Sequence, residues 1–151
     1  MAAVATASSA LLSQVPLTTE DHATAGSSAL FPRGAYDAEY QQQVDLRVSN
    51  SWKLKLDEVD MPELVEVMTI NSMAPFVLNA RLRKILAAAL PAPAFVINVS
   101  AMEGQFYRFK TAAHPHTNSA KAALNMMTRT SAADYAEDGI FMCAVDTGWI
   151  N

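Results

Sequence analysis

Glycine is scarce in this 151-residue sequence, and the five that occur, at positions 26, 34, 104, 139 and 148, never cluster. No stretch could therefore wrap consecutive backbone amides around a phosphate. Cysteine is rarer still. The single Cys143 can form no internal disulfide, and its place in the apolar run Phe141-Met142-Cys143-Ala144-Val145 marks it as a buried small hydrophobe. Nothing calls for an oxidising compartment, and a cytoplasmic location is expected. Positive charge is thin too: 11 Lys and Arg against 15 Asp and Glu leave a net charge of -4, with no basic stripe longer than Arg81, Arg83 and Lys84. That excludes the concentrated cationic surface that displaces counterions from nucleic acid. Long apolar runs are missing as well, because the stretch from Ile85 to Val99 is broken by Pro91 and Pro93 before it reaches the roughly 20 residues a bilayer core requires. No membrane association is expected. Of the three histidines, His114 and His116 are two residues apart and His22 lies far off in an unpatterned stretch; a metal site needs at least a third ligand of defined geometry, so none is expected.

What is present is the balance of one soluble domain, 51% hydrophobic and 17% charged. Residues 1–57 are weakly patterned. An Ala/Ser-rich opening without the basic residues of a targeting segment reads as a helical or disordered start. A polar stretch follows, then a turn at Phe31-Pro32-Arg33-Gly34 and a short alternation through Val44, Leu46 and Val48 that fits one strand. Residues 58–151 are patterned throughout. Asp60-Met61-Pro62-Glu63 has the residues of a capping box with proline in the first turn. From Leu64 onward Val67, Met68, Asn71, Ala74, Val77, Leu78, Leu82 and Ile85 recur at helical spacing, up to Leu90-Pro91. Pro75 has no amide hydrogen for the carbonyl of Asn71, so the helix should kink there and leave that carbonyl open to another donor, such as water.

Ala94-Phe95-Val96-Ile97-Asn98-Val99 is a short apolar, β-branched run, the pattern of a strand buried on both faces, and a polar tip from Ser100 to Gly104 follows it. A second helix fits 118–137, with Gly139 placed to end it in a left-handed conformation. Ile140 to Val145 is another buried strand, leaving through Asp146-Thr147-Gly148. Helix, strand, helix, strand is part of a doubly wound parallel α/β sheet, whose ligands lie beyond the carboxyl ends of the strands. Here those ends are at Ser100 and Asp146.

Ile97-Asn-Val-Ser-Ala-Met-Glu-Gly104, Asn118-Ser-Ala-Lys-Ala-Ala-Leu-Asn125 and Val145-Asp-Thr-Gly-Trp-Ile150 together resemble the carboxyl-terminal half of a divergent short-chain dehydrogenase/reductase. The resemblance implies a partial Rossmann-like doubly wound parallel sheet with long flanking helices, and hydride transfer between NAD or NADP and a carbonyl or alcohol in a complete chain. It gives Lys121 the role of the family lysine that holds the nicotinamide ribose, and Asn71 that of the asparagine whose carbonyl holds a relay water. Thr147 and Gly148 take the place of the family Pro-Gly beside the nicotinamide. Three departures accompany it. Thr117 stands where the catalytic tyrosine belongs, and an aliphatic hydroxyl cannot replace a phenol as acid. Ala101 stands at the family serine, with Ser100 one position away. The Gly-rich cofactor turn is absent. His116, next to Thr117, is the candidate substitute acid/base, and Tyr107 is a second. The resemblance thus suggests a chain truncated at its amino end, inactive alone and binding no cofactor by itself. It also implies a homo-oligomer through helices 60–90 and 118–137, and the alternative reading is a catalytically silent relative that acts through that helix interface.

Overall fold

The computed structural model describes residues 29–38, 41, 43–48, 50–89 and 91–148; the opening segment and His22 lie outside them. The chain divides into two compact units, residues 1–47 and 48–151. In the first, the turn expected at Phe31–Gly34 forms, with the Ala35 N–H donating to the Pro32 carbonyl at 3.0 Å and Gly34 at φ +78. Tyr36 and Gln43 form an isolated antiparallel bridge. The alternation through Val44, Leu46 and Val48 does not make a strand. The Val44 and Leu46 N–H groups donate to the Ala35 and Leu30 carbonyls at 3.1 and 2.9 Å, but pairing as a bridge stops at Tyr36 and Gln43.

The second unit runs α1 (Met61–Met68), a π turn (Thr69–Met73), α2 (Ala74–Ala87), β1 (Ala94–Ser100), a 3-10 turn (Met102–Gly104), α3 (Pro115–Glu137) and β2 (Ile140–Asp146). Pro62 sits in the first turn of α1, where a missing N–H costs nothing. The capping box does not close: the Asp60 side chain makes no cap bond, and the Glu63 carboxylate accepts from the Ser51 hydroxyl. The kink expected at Pro75 takes the form of the π turn just ahead of it, where the Ala74 N–H reaches back five residues to the Thr69 carbonyl. The wider turn resets the hydrogen-bond ladder before the residue that cannot donate to it.

β1 and β2 pair in parallel, from Ala94 opposite Ile140 to Ser100 opposite Asp146. α3 connects them and begins three residues earlier than its periodicity alone suggested, with Gly139 at φ +71 ending it as expected. It packs Ala120, Leu124 and Tyr135 into the small core with Ile140. Polar bonds tie the layers together. Asn98 donates to the Thr128 hydroxyl and accepts from the Asn79 amide, both at 3.0 Å, and the Tyr135 hydroxyl donates to the Asn79 carbonyl at 3.1 Å. Arg83 on α2 bonds Asp134 and, at 2.7 Å, Asp138, and lies over the Tyr135 ring.

Burial on both faces of the strands is the expectation the structure corrects. Asn98, Ser100 and Ile140 face the helices and are buried, whereas Phe95, Ile97, Val99 and Phe141 on the other face are more than half exposed. Among the described residues a helical layer covers one face alone. Cys143 is exposed on the uncovered face rather than buried.

Candidate functional site

Because β1 and β2 are parallel and in register to their last residues, the loops that begin at Ala101 and Thr147 leave from the same end of the sheet. α3 brings Lys121 there: its ammonium donates to the Val99 carbonyl at 3.0 Å. The 3-10 turn is clamped beside it. A Cβ on Gly104 would lie 2.6 Å from the Lys121 carbonyl carbon, and the Asn125 amide donates to the Gly104 carbonyl at 3.1 Å. Only glycine lets the loop after β1 sit this close to the lysine's own backbone. On the β2 side, the Asp146 carboxylate accepts from the Gly148 N–H at 3.0 Å and bends the exit loop, with Gly148 at φ +67.

Ser100, Lys121, Thr147 and Gly148 are therefore gathered at one end of the sheet, as expected of the strand tips. Ser100 nevertheless turns to the helix-covered face: it is 6% exposed and its hydroxyl is enclosed without a hydrogen-bond partner. Asn71 lies in the π turn that packs against α3. Its amide donates to the Val67 carbonyl of its own helix at 3.1 Å, while Pro75 has no N–H to offer its carbonyl.

His116 is engaged elsewhere. Its ring is buried, with Nε2 3.0 Å from the Ser51 hydroxyl and 3.3 Å from the Glu63 carboxylate. Ser51 has one proton and gives it to Glu63, so the ring meets Ser51 with an Nε2–H that donates, and Nδ1 is buried without a partner. Serine and carboxylate meet the same ring nitrogen. A nucleophile–base relay needs them on opposite nitrogens, so this is not a hydrolase triad. His114 works beside it: at φ 43, its N–H donates to the Leu54 carbonyl at 2.8 Å, its Nδ1 lies 3.0 Å from the Trp52 carbonyl and its ring meets Trp52 edge-on. Both histidines dock residues 51–54 onto the start of α3. Tyr107 points to solvent under the Arg108 guanidinium. The Asn79–Asn98–Thr128 network and the Ser51–Glu63 contact were not singled out from the sequence; an asparagine inside the apolar run 94–99 was the available signal for the first.

Among the described residues no group of three or more His, Cys, Asp or Glu is placed to hold a metal ion, and no helix is long and apolar enough to cross a membrane.

Parallel strands joined by a helix that carries a lysine to the strand tips define a Rossmann-type α/β protein. A family model described as enoyl-(acyl carrier protein) reductase matches residues 47–151. Among solved structures, an NADPH-bound carbonyl reductase from chicken fatty liver is 29% identical with a TM-score of 0.58, matched over 68% of this chain and 44% of its own. A short-chain dehydrogenase/reductase family oxidoreductase from Brucella ovis, in complex with a partially ordered NAD, is 30% identical with a TM-score of 0.57, over 70% and 45%. An uncharacterized protein of Acanthamoeba polyphaga mimivirus is 31% identical over 118 residues, 75% of this chain and 25% of that protein. The chain belongs to the short-chain dehydrogenase/reductase family. It spans a quarter of the curated relative and less than half of these two solved structures.

Proposed function

We propose that residues 48–151 form the nicotinamide-ribose and substrate side of a NAD(P)-dependent oxidoreductase, and that this chain by itself transfers no hydride. The observation that carries the second statement is Thr117, one helical turn before Lys121, where the proton donor would have to be. The residues present fit one end of a dinucleotide. Lys121 spends one N–H on Val99 and keeps two for ribose hydroxyls, and Gly148 offers a backbone edge with no side chain. The phosphates find no glycine cluster anywhere in the sequence. Bound nicotinamide would supply or take up the hydride. The chain's own groups would hold the ribose through Lys121 and shape the loop through Asp146, without an acid to protonate the carbonyl oxygen. The relatives are bound to NADPH in one case and NAD in another, so either cofactor is compatible. The lone Cys143 is compatible with the cytoplasm.

The test is consumption of NADH or NADPH by the purified chain with a panel of aldehydes and ketones. No turnover above blank is expected, from the parent or from Thr117→Tyr. Turnover abolished by Lys121→Ala would overturn the proposal.

A second reading is favoured by the outer side of the π turn and α2, where Ile70, Met73, Val77, Leu78 and Ile85 are more than half exposed. Under it the chain is a silent relative that self-associates through helices 60–90 and 118–137.

A further inference from the structure

Phe106, Tyr107 and Phe109 are 88%, 81% and 91% exposed, whereas the other exposed aromatic rings among the described residues reach 64% at most. All three belong to one short loop, in which residues 106–112 are exposed without a break. A ring with nine-tenths of its surface free has almost no protein against it, so the loop stands out from the body of the unit. Its base is held. Gly104 is wedged against the Lys121 backbone and accepts from the Asn125 amide, and the Lys110 ammonium donates to the Met102 carbonyl at 3.0 Å. The rings are thus presented to solvent from an anchored loop, an arrangement that keeps apolar surface available for a partner.

The charge around them has one sign. Arg108 and Lys110 alternate with the rings and are themselves exposed, and the Arg108 guanidinium lies 5.6 Å from the centre of the Tyr107 ring. Although the chain carries a net charge of -4, no Asp or Glu occurs from Gly104 to Ala133, a stretch that contains Arg108, Lys110, Lys121 and Arg129. The loop also leads into the start of α3, whose first turn has no acidic residue to offset the positive end of the helix dipole. Aromatic rings interleaved with Lys or Arg are the side chains that settle at the boundary between lipid headgroups and hydrocarbon.

We propose that the loop 105–111 docks on the surface of an anionic phospholipid bilayer. Phe106, Tyr107 and Phe109 enter the interface, and Arg108 and Lys110 lie among the headgroup phosphates and carboxylates, where each cation adds to the attraction. The shortage of long apolar runs argues against a span; attachment to a membrane surface needs no such run. A projecting loop suits a deformable surface, and two cations are too few to track a nucleic-acid backbone. The surface is independent of the reading given to Lys121 and the strand tips.

Co-sedimentation of the 151-residue chain with vesicles tests it, using phosphatidylcholine with about 30% phosphatidylserine, and phosphatidylcholine alone. Binding to the anionic vesicles is expected, at least fivefold weaker without phosphatidylserine and at least fivefold weaker in about 0.5 M salt. The double variants Phe106→Ser, Phe109→Ser and Arg108→Gln, Lys110→Gln should each weaken it at least fivefold, with circular dichroism matching the parent because the positions are exposed. Phe95→Ser, Phe141→Ser on the uncovered sheet face should leave it unchanged. The proposal is overturned by no sedimentation of the folded chain with the anionic vesicles, by binding that survives the loop variants, or by binding lost in the sheet-face variant. Tighter capture of a single-stranded oligouridylate by the same side chains, with the bases stacked on the rings, overturns it as well.

Discussion

At the scale of single residues, the tightest constraint near the site is Gly104. Its Cα rests on the Lys121 backbone, with no room for a methyl group against the Lys121 carbonyl or the Asn125 amide. Helix backbone cannot swing aside as a side chain would. Gly104→Ala should therefore destabilise the second unit by about 1–3 kcal/mol, read as a lower urea midpoint at unchanged slope. Asn98 is constrained by chemistry rather than space. It is buried and satisfies Asn79 and Thr128 at once, so Asn98→Ala should cost about 1–3 kcal/mol for the polar groups left behind, measured the same way. His116 shows why a residue's role is hard to infer from its neighbours in sequence. Adjacent to Thr117, it has the right chemistry for proton transfer, yet the fold spends its Nε2 on Ser51 and Glu63. Those partners lie 65 and 53 positions away, and no local pattern announces them.

At the scale of elements, period-3.6 spacing marks α1, α2 and α3, and the continuous apolar runs mark both strands, because local propensity favours the element formed in each; burial does not follow the pattern, since Phe95, Ile97, Val99 and Phe141 are more than half exposed. The in-register ends of β1 and β2 follow from parallel pairing, which is why Ser100, Thr147 and Gly148 could be assigned to one end of the sheet. The π turn was legible only as an irregularity: Pro75 states that a hydrogen bond is missing, and whether the chain kinks or widens is decided by packing against α3. The capping box does not close either, and the Glu63 carboxylate bonds Ser51 instead. The outer stripe of the π turn and α2 carries the prediction of this scale. If the helices form the proposed self-association surface, light scattering should report a dimer of the parent chain and a monomer for the Ile70→Glu, Val77→Glu double variant, both with the same helical circular dichroism. A monomeric parent chain would remove the second functional reading.

At the scale of the molecule, the two-stranded sheet is the defining feature. One face is packed by α2 and α3 through Asn98, Ser100 and Ile140; the other presents Phe95, Ile97, Val99 and Phe141 to solvent. Burying such side chains would contribute roughly 1.5–3 kcal/mol each, and an exposed apolar patch of this kind favours association. Lys121, the close-packed Gly104 and the turned exit loop at Gly148 meet at one end of this scaffold, and Thr117 precedes Lys121 by one helical turn. Under the proposed function, these residues would hold one end of the dinucleotide and would not by themselves hold the whole cofactor. Isothermal titration of the folded 151-residue chain with NADH and with NADPH tests it most directly. The account predicts no saturable binding tighter than about 100 μM, equivalent to roughly 5.5 kcal/mol. Saturable binding below that concentration, lost in Lys121→Ala, would show that a complete nucleotide site forms without a Gly-rich turn and would contradict it.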